Sequence, residues 1–565
     1  MSSATPTPDT PLVRRLPLAG VLRPGRPSDI WFKPALSSVA AVAPPNLALL
    51  ALGRLDLAMY TMAGSLCALY AHNRPYAARA RVLARVVLGM LGGVAVALVA
   101  ASLTRDAVVL VTVGALLAAA QKALCDATRV GPPGNVVLTF ISSAALFAPQ
   151  TLAQVPGHLA LGAAAGAWAW LVGMAPGLVR PHGPERRATA HALNATAACA
   201  EAHRTGDDGR ARAARAAAYA AVHAAWQTLL SVPPARGRAA TRRALERLVV
   251  RAEVALAAPA DTDPERLRAW ARALRGTGPV PEADDDPQAA DELLGMDAER
   301  ATGRQPLWQR LGPLTPIAAR TALGCALAGY ASLALGIGRP YWALVTAASL
   351  YQANITLTWN RAVQRVVGNL AGVLLFAAVT PLTHLGPAAL VLCCLAFNFG
   401  AEALISRNYW LGSVCVTPMA LLITEFAGYQ EPGRLITERI ADTLVGALVG
   451  FAAALAVTNR RAADRVERAL DAADRAREHA ARLLARPDPA PGALESARRA
   501  LAAALVDLRA TADAAAGEWW QRALPQERVV RAEQSGHRTL AATVRRQGHR
   551  PRAGTTAQKT EDVRP

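Results

Sequence analysis

RVLARVVLGMLG, residues 81–92, returns 280 residues later as RAVQRVVGNLAG, residues 361–372. Both stretches carry Arg-x-x-x-Arg and then a glycine, Arg81, Arg85 and Gly92 in the first, Arg361, Arg365 and Gly372 in the second, each on an apolar background. Further along, Gly162-x-x-x-Gly166 answers to Gly446-x-x-x-Gly450, and Leu103-Thr104 falls where Leu382-Thr383 recurs. A pattern repeated at this period marks an internal repeat, and here the repeated unit reads as a bundle of membrane-spanning helices.

Of the 565 residues, 53% are hydrophobic, and the mean hydropathy of +0.21 conceals a sharp segregation. Apolar residues fill two blocks, 35–178 and 314–458, while the sequence between and after them is rich in Ala, Arg, Asp and Glu. The expected domains are a cytosolic segment 1–34, a first six-span membrane domain 35–178, and a cytosolic helical bundle 179–313. A second six-span domain 314–458, a C-terminal cytosolic bundle 459–547 and a disordered tail 548–565 complete the plan.

The formal charge of +20 raises nucleic acid as a partner, but Lys occurs only at Lys33, Lys122 and Lys559. Excess Arg is what short cytoplasmic loops of a membrane protein carry, so the basicity reads as topology rather than as a nucleic-acid footprint. The seven cysteines show no Cys-x-x-Cys or Cys/His ligand spacing; they read as small buried apolar residues, and no metal or other cofactor is expected. His191, His203 and His223 lie at spacings that suit solvated or satisfied side chains better than a metal centre. The first 30 residues hold no apolar run ending in a cleavage site, so no cleaved signal is expected.

A hydrocarbon core of about 30 Å needs about 20 helical residues. Six runs fit in each block, near 35–52, 55–71, 82–103, 106–124, 134–150 and 157–178, then near 316–337, 341–358, 366–381, 386–405, 409–424 and 439–458. With the amino terminus inside, all six inner connections are basic, which places both termini and both bundles in the cytosol. Six spans per half give the halves one orientation, so the repeats are parallel. The expected fold is an all-α membrane protein of two parallel six-span repeats, each followed by a cytosolic helical bundle.

Tyr341-Trp342-Ala343-Leu344-Val345-Thr346, followed by Thr356, Arg361, Arg365, Gly368 and Gly372, resembles the signature of the fusaric acid resistance family of membrane proteins. Glu438-Arg439-Ile440-x-Asp442-Thr443-Leu444-Val445-Gly446 is similar to its closing membrane segment, and Arg74-Pro75-Tyr76-x-x-Arg79-x-Arg81 looks like its amino-terminal half. Gly368-Asn369 departs from the Gly-Thr of family members. The resemblance implies a plasma-membrane efflux protein for aromatic carboxylic and related weak acids. It is also similar in plan to the plant aluminium-activated malate channels, in which six-span units with cytosolic helices pair around an anion path.

Arg81 with Arg85, and Arg361 with Arg365, each share a helix face. Paired across a pseudo-two-fold axis, the four guanidiniums would ring an inner vestibule and gather carboxylates; the competing account makes them anchors that reach to lipid headgroups. Gln352 and Asn354, with Thr356 and Thr358, give span eight a polar content that either lines the path or bonds neighbouring helices. Glu402 within span ten is a candidate proton-coupling site, and Lys122, its counterpart at the repeat offset, offers a cross-repeat ion pair instead. Asp442 reads either as a transport residue or as the local partner of Arg439. Gly162, Gly166, Gly446 and Gly450 permit close helix crossing, and their equivalence suggests that spans six and twelve touch, with each other across the axis as one arrangement.

No phosphate-binding Gly-x-x-x-x-Gly-Lys-Ser/Thr, no Gly-x-Ser-x-Gly and no His-Glu-x-x-His occurs, so an enzyme is not expected. The leading expectation is a proton-coupled exporter of organic anions in membrane lipid. A passive anion channel, a non-transporting scaffold that recruits partners through its bundles, and a homo-oligomeric state remain open alternatives.

Overall fold

The computed structural model describes residues 16, 18–25, 30–205, 207–231, 239–282, 311, 314–457, 462–490, 492–517 and 525–548. The chain divides into two compact units, one holding residues 1–181, 305–460 and 514–523, the other 182–304, 461–513 and 524–565. Every regular element among the described residues is helical. The acidic stretch 282–286 beyond Glu282, the break at Pro233-Pro234 and the expected tail lie outside the described residues, apart from Gly548.

The apolar unit opens with α1 (Phe32–Ala51), α2 (Ala58–Ser65, flanked by the 3-10 turns Leu55–Leu57 and Leu66–Leu69), α3 (Tyr76–Leu103), α4 (Ala107–Thr128), α5 (Val136–Leu146), α6 (Val155–Met174) and the single turn α7 (Pro176–Val179). The other unit contributes α8 (Gly183–Arg204), α9 (Asp208–Leu230), α10 (Ala239–Ala257) and α11 (Pro264–Arg275). Apolar helices resume with α12 (Thr315–Ala334), α13 (Pro340–Leu350), α14 (Ile355–Thr383), α15 (Pro387–Ile405), α16 (Tyr409–Glu425) and α17 (Pro432–Ala456), before α18 (Ala462–Ala485), α19 (Ala493–Ala516) and α20 (Gln526–Gly548).

Each expected span coincides with a helix, but only eight helices among the described residues are long and apolar enough to cross a membrane. The second, fifth, eighth and eleventh runs form the shorter α2, α5, α13 and α16. At about 1.5 Å per residue an 11-residue helix covers roughly 17 Å, about half of a bilayer core. Hydropathy could not distinguish these from spans, because a helix buried on all sides by protein is as apolar as one bathed in lipid. All eleven residues of α13 are buried, and so are seven of eight in α2. The 3-10 turn after α2 and the helix α13 each end in an extended residue, Tyr70 and Tyr351. The longest apolar helices follow at once, α3 with 28 residues and α14 with 29.

Backbone groups freed by such breaks need partners, since lipid supplies none. Asn354 satisfies one by accepting from the Leu357 amide at 2.8 Å as the amino-terminal cap of α14. The proline pair Pro44-Pro45 lies inside a continuous α1.

The same helix pairings recur in the two apolar stretches. α6 packs on α2 and on α3 in the first, as α17 packs on α13 and on α14 in the second. The glycine pairs explain how: a Cβ on Gly446 would come within 2.5 Å of the Ala343 carbonyl oxygen, and one on Gly64 would strike the backbone of Gly162 and Gly166. These glycines therefore seat α6 on α2 and α17 on α13. Between the stretches, α1 packs on α15 and α12 on α4. Ser38 donates to Asn398 at 2.6 Å in the first of these contacts, and the Thr112 and Tyr330 hydroxyls lie 2.7 Å apart in the second. One apolar core joins both stretches, with Leu83, Met90 and Leu98 in the same cluster as Trp342, Phe376 and Leu421. Leucines such as Leu88, Leu116, Leu374, Leu392 and Leu448 stay exposed on the outer faces of the long helices, the surface a lipid solvent favours.

In the other unit, helices from both polar stretches share a core. The Arg498 guanidinium meets Glu253 at 3.0 Å with both side chains buried, Glu253 also accepts from Trp226 Nε1 at 3.0 Å, and Tyr219 stacks on His537 with ring centres 4.3 Å apart. A cavity of about 20 Å³ beside Trp226, His223 and Arg499 has room for one water.

Candidate functional site

Inside the apolar unit, α14 and α17 cross where charged side chains are enclosed. Arg365, on α14, is 4% exposed, and Arg439, on α17, is 1% exposed. A guanidinium cannot shed its charge in a protein, so burial must be repaid by hydrogen bonds or a counter-charge. Arg365 donates from Nη1 to the Tyr409 hydroxyl at 2.8 Å. Its Nε, and both Nε and Nη1 of Arg439, are buried without a hydrogen-bond partner. Each unsatisfied buried donor costs about 1–3 kcal/mol, more for charged groups, so this is an expensive arrangement for packing alone.

Aromatic rings complete the enclosure. Arg439 lies 5.0 Å from the ring centre of Trp342 and Arg339 lies 5.1 Å from it, while Arg361 stacks 3.8 Å over the ring of Tyr409. Trp342 is fully buried and its Nε1 has no hydrogen-bond partner. Below the arginines, Asn369 donates to Thr443 at 2.9 Å and accepts from Thr417 at 2.6 Å, tying α14, α16 and α17 together.

Two acidic groups share α17 with Arg439. Asp442, buried, accepts from Ser332 at 2.6 Å, and Glu438 takes Arg339 at 3.2 Å and Arg434 at 2.8 Å. Among the described residues no ion pair within 4.0 Å joins Arg439 to Asp442, so the local pairing expected from their spacing is not made. The centre is thus cationic, rich in unpartnered donors and walled by aromatic rings.

The residues of this centre, Ser332 through Thr443, all fall within 326–453, the stretch that matches the family described as Fusaric acid resistance protein-like. The chain carries a fusaric acid resistance protein-like domain. A membrane protein of Bacillus subtilis (strain 168), YvaC, described as uncharacterized, is 34% identical over 122 residues, which are 21% of this chain and 19% of the relative. The match therefore spans about a fifth of that relative's length. No solved structure matches. The protein is a membrane protein with several apolar helices.

The other residues singled out in sequence lie apart from the centre of the fusaric acid resistance-like domain. Arg81 and Arg85 are exposed on α3, whereas Arg365 is buried on α14. The buried arginine of the first stretch is Arg79, held by the Gly173 and Ala68 carbonyls and by His72. Lys122 pairs with Asp126 one turn on, at 3.0 Å, not with Glu402. Glu402 is half-buried near the end of α15, within electrostatic reach of Tyr70. Gln352 is half-buried, and Asn354 serves as a helix cap.

A short strap covers the α14 and α16 ends of the domain. The carbonyls of Val21, Leu22 and Arg23 accept from Gln364, Asn408 and Trp410 at 2.9–3.1 Å, and the Gly25 amide donates to the Arg407 carbonyl at 2.8 Å. Gln364 and Asn408 are the chain neighbours of Arg365 and Tyr409, so the strap is seated beside the centre. Among the described residues no three His, Cys, Asp or Glu side chains converge as metal ligands would.

Proposed function

We propose that this protein is a transporter that moves organic anions, aromatic carboxylates among them, across the plasma membrane through the centre between α14 and α17. The family-type domain is consistent with a transporter of some kind. The observation that carries the reading is the pair Arg365 and Arg439: two enclosed guanidiniums with unpartnered N–H groups, walled by Trp342, Tyr341 and Tyr409. A carboxylate would satisfy those donors in a fork-like geometry, and an attached ring would lie among aromatic faces. The recurring pairings, α2 with α6 and α13 with α17, and the reciprocal contacts α1 with α15 and α4 with α12, support two parallel repeats around a common axis. Only the second repeat has the charged centre, because Val155 and Gly89 stand where Arg439 and Asn369 occur in it.

In this reading the α8–α11 and α18–α20 helices face the cytosol together with both termini, and Glu402 is a coupling site for protons from that side. The test is uptake and efflux of labelled benzoate in proteoliposomes. Wild type should accumulate benzoate against its gradient and lose that ability with a protonophore, and Arg365→Ala/Arg439→Ala should fall at least about tenfold. Current that persists without a proton gradient would point to a passive channel; no flux in wild type, with a specific partner bound to the cytosolic helices, would point to a scaffold.

A further inference from the structure

At the opposite end of α14 and α16 from the strap, a second ionisable pair stands apart from the arginine centre. The Glu425 side chain, which closes α16, is 0% exposed, and neither carboxylate oxygen has a hydrogen-bond partner. His384, immediately after α14, brings Nε2 to 3.7 Å from Oε1, and its own ring is 35% exposed. An isolated carboxylate in an apolar enclosure is too costly to persist, so Glu425 must either hold a proton or face a protonated imidazole. His384 reaches water where Glu425 does not, so the imidazole connects solvent to the buried acid.

The surroundings leave the pair to itself. Tyr429 packs edge-on against the His384 ring, centres 4.7 Å apart, and its hydroxyl donates to the Thr383 carbonyl at 3.4 Å. Of the elements packed on α16, α14 carries Arg361 and Arg365 toward its other end, and α15 carries Cys393, Cys394 and, toward its other end, Glu402. The nearby charges of Arg339, Arg434 and Glu438 are spent on one another. His384 is the one charged group among the described residues that acts on Glu425.

We propose that Glu425 and His384 form a proton-binding site at the end of the apolar unit that the charge pattern assigns to the exterior. With His384 as imidazolium facing the Glu425 carboxylate, Nε2–H passes its proton to the carboxylate, leaving a neutral imidazole and a neutral acid at an unchanged net charge of zero. A second proton from water restores the imidazolium, so the pair cycles between zero and one net positive charge while the buried acid is loaded and unloaded. As the source of protons for anion movement, the pair rests on the transport reading; as a proton site it does not.

Infrared titration of the full chain in lipid vesicles tests the site directly. Wild type should show a buried protonated-carboxyl C=O band that titrates, E425Q should lose it, H384N should move its midpoint, and E402Q should leave it in place. A band retained in E425Q, or a midpoint indifferent to H384N, would overturn the proposal. In proteoliposomes E425Q should lose at least about tenfold of the benzoate accumulation driven by a pH gradient while keeping benzoate exchange within about twofold; accumulation at the wild-type level would also overturn it. Absence of benzoate flux in wild type would reject the transport reading, with the infrared result still deciding the site.

Discussion

The guanidinium of Arg439 stands over the ring of Trp342, 5.0 Å from its centre. Cation–π attraction of this kind contributes about 0.5–2 kcal/mol, most where water is excluded, and it holds the charge without engaging Nε or Nη1. The ring positions the arginine and leaves its donors for another group. A lysine at this position would keep the charge but lose the planar fork.

Benzoate uptake should therefore drop roughly 10- to 100-fold in R439K and in R365A, the effect of losing one charge-assisted hydrogen bond or a bidentate pair. Initial rates in proteoliposomes measure it. R439K at the wild-type rate would show that the fork is not used.

Arg81 and Arg85 repeat the motif but not the setting, since both side chains are exposed. R81A/R85A should change uptake by less than about twofold, as is usual for solvated surface charges. A loss as large as that of R365A, in the same assay, would restore the four-arginine vestibule.

The contrast shows what the sequence could and could not convey. Apolar runs located all the helices of the α1–α7 and α12–α17 stretches, and Arg365 was identified from its spacing. Arg439 was read as part of the family-like closing segment and as a partner for Asp442, because the convergence of α14 and α17 depends on helix packing between residues 74 apart, which local spacing does not encode. Arg81 and Arg85 match the spacing of Arg361 and Arg365, while Gly89 and Val155 stand at the offsets of Asn369 and Arg439, so periodicity overstated the likeness of the two stretches.

Gly446 and Gly92 separate packing from coincidence in the repeated glycines. A side chain on Gly446 would collide with the Ala343 carbonyl and Thr346, whereas one on Gly92 would meet nothing within 4 Å. Gly446→Val should destabilise the protein by about 1–3 kcal/mol through overpacking, and Gly92→Ala should be neutral or slightly stabilising. Thermal melting of purified protein compares them; equal melting temperatures would contradict the close seating of α17 on α13.

His537 gives the α8–α11 and α18–α20 unit a pH dependence. Burial, reinforced by the Arg215 charge, holds its imidazole at about 4, below the ordinary value near 6.5, and its Nδ1 is buried without a hydrogen-bond partner. The fold favours the neutral ring, so this stabilisation is complete above about pH 6.5 and is lost at up to roughly 1.4 kcal/mol per unit as pH falls toward 4. Hydrogen-exchange protection of residues 526–548, corrected for intrinsic rates, should decline between pH 7 and pH 5 in wild type and much less in His537→Gln. Identical declines would assign the effect elsewhere.

The strap at Val21 to Gly25 also dictates an order of events at the ribosome. Val21 binds a side chain 343 residues further along, and at about 5–20 residues per second that partner emerges roughly 20 to 70 s later. Val21 to Gly25 are thus made well before the seat they occupy. Until they reach it, the flank of α14 beside Arg365 is bare in the nascent protein, and a bulky fusion ahead of Val21 would delay its covering.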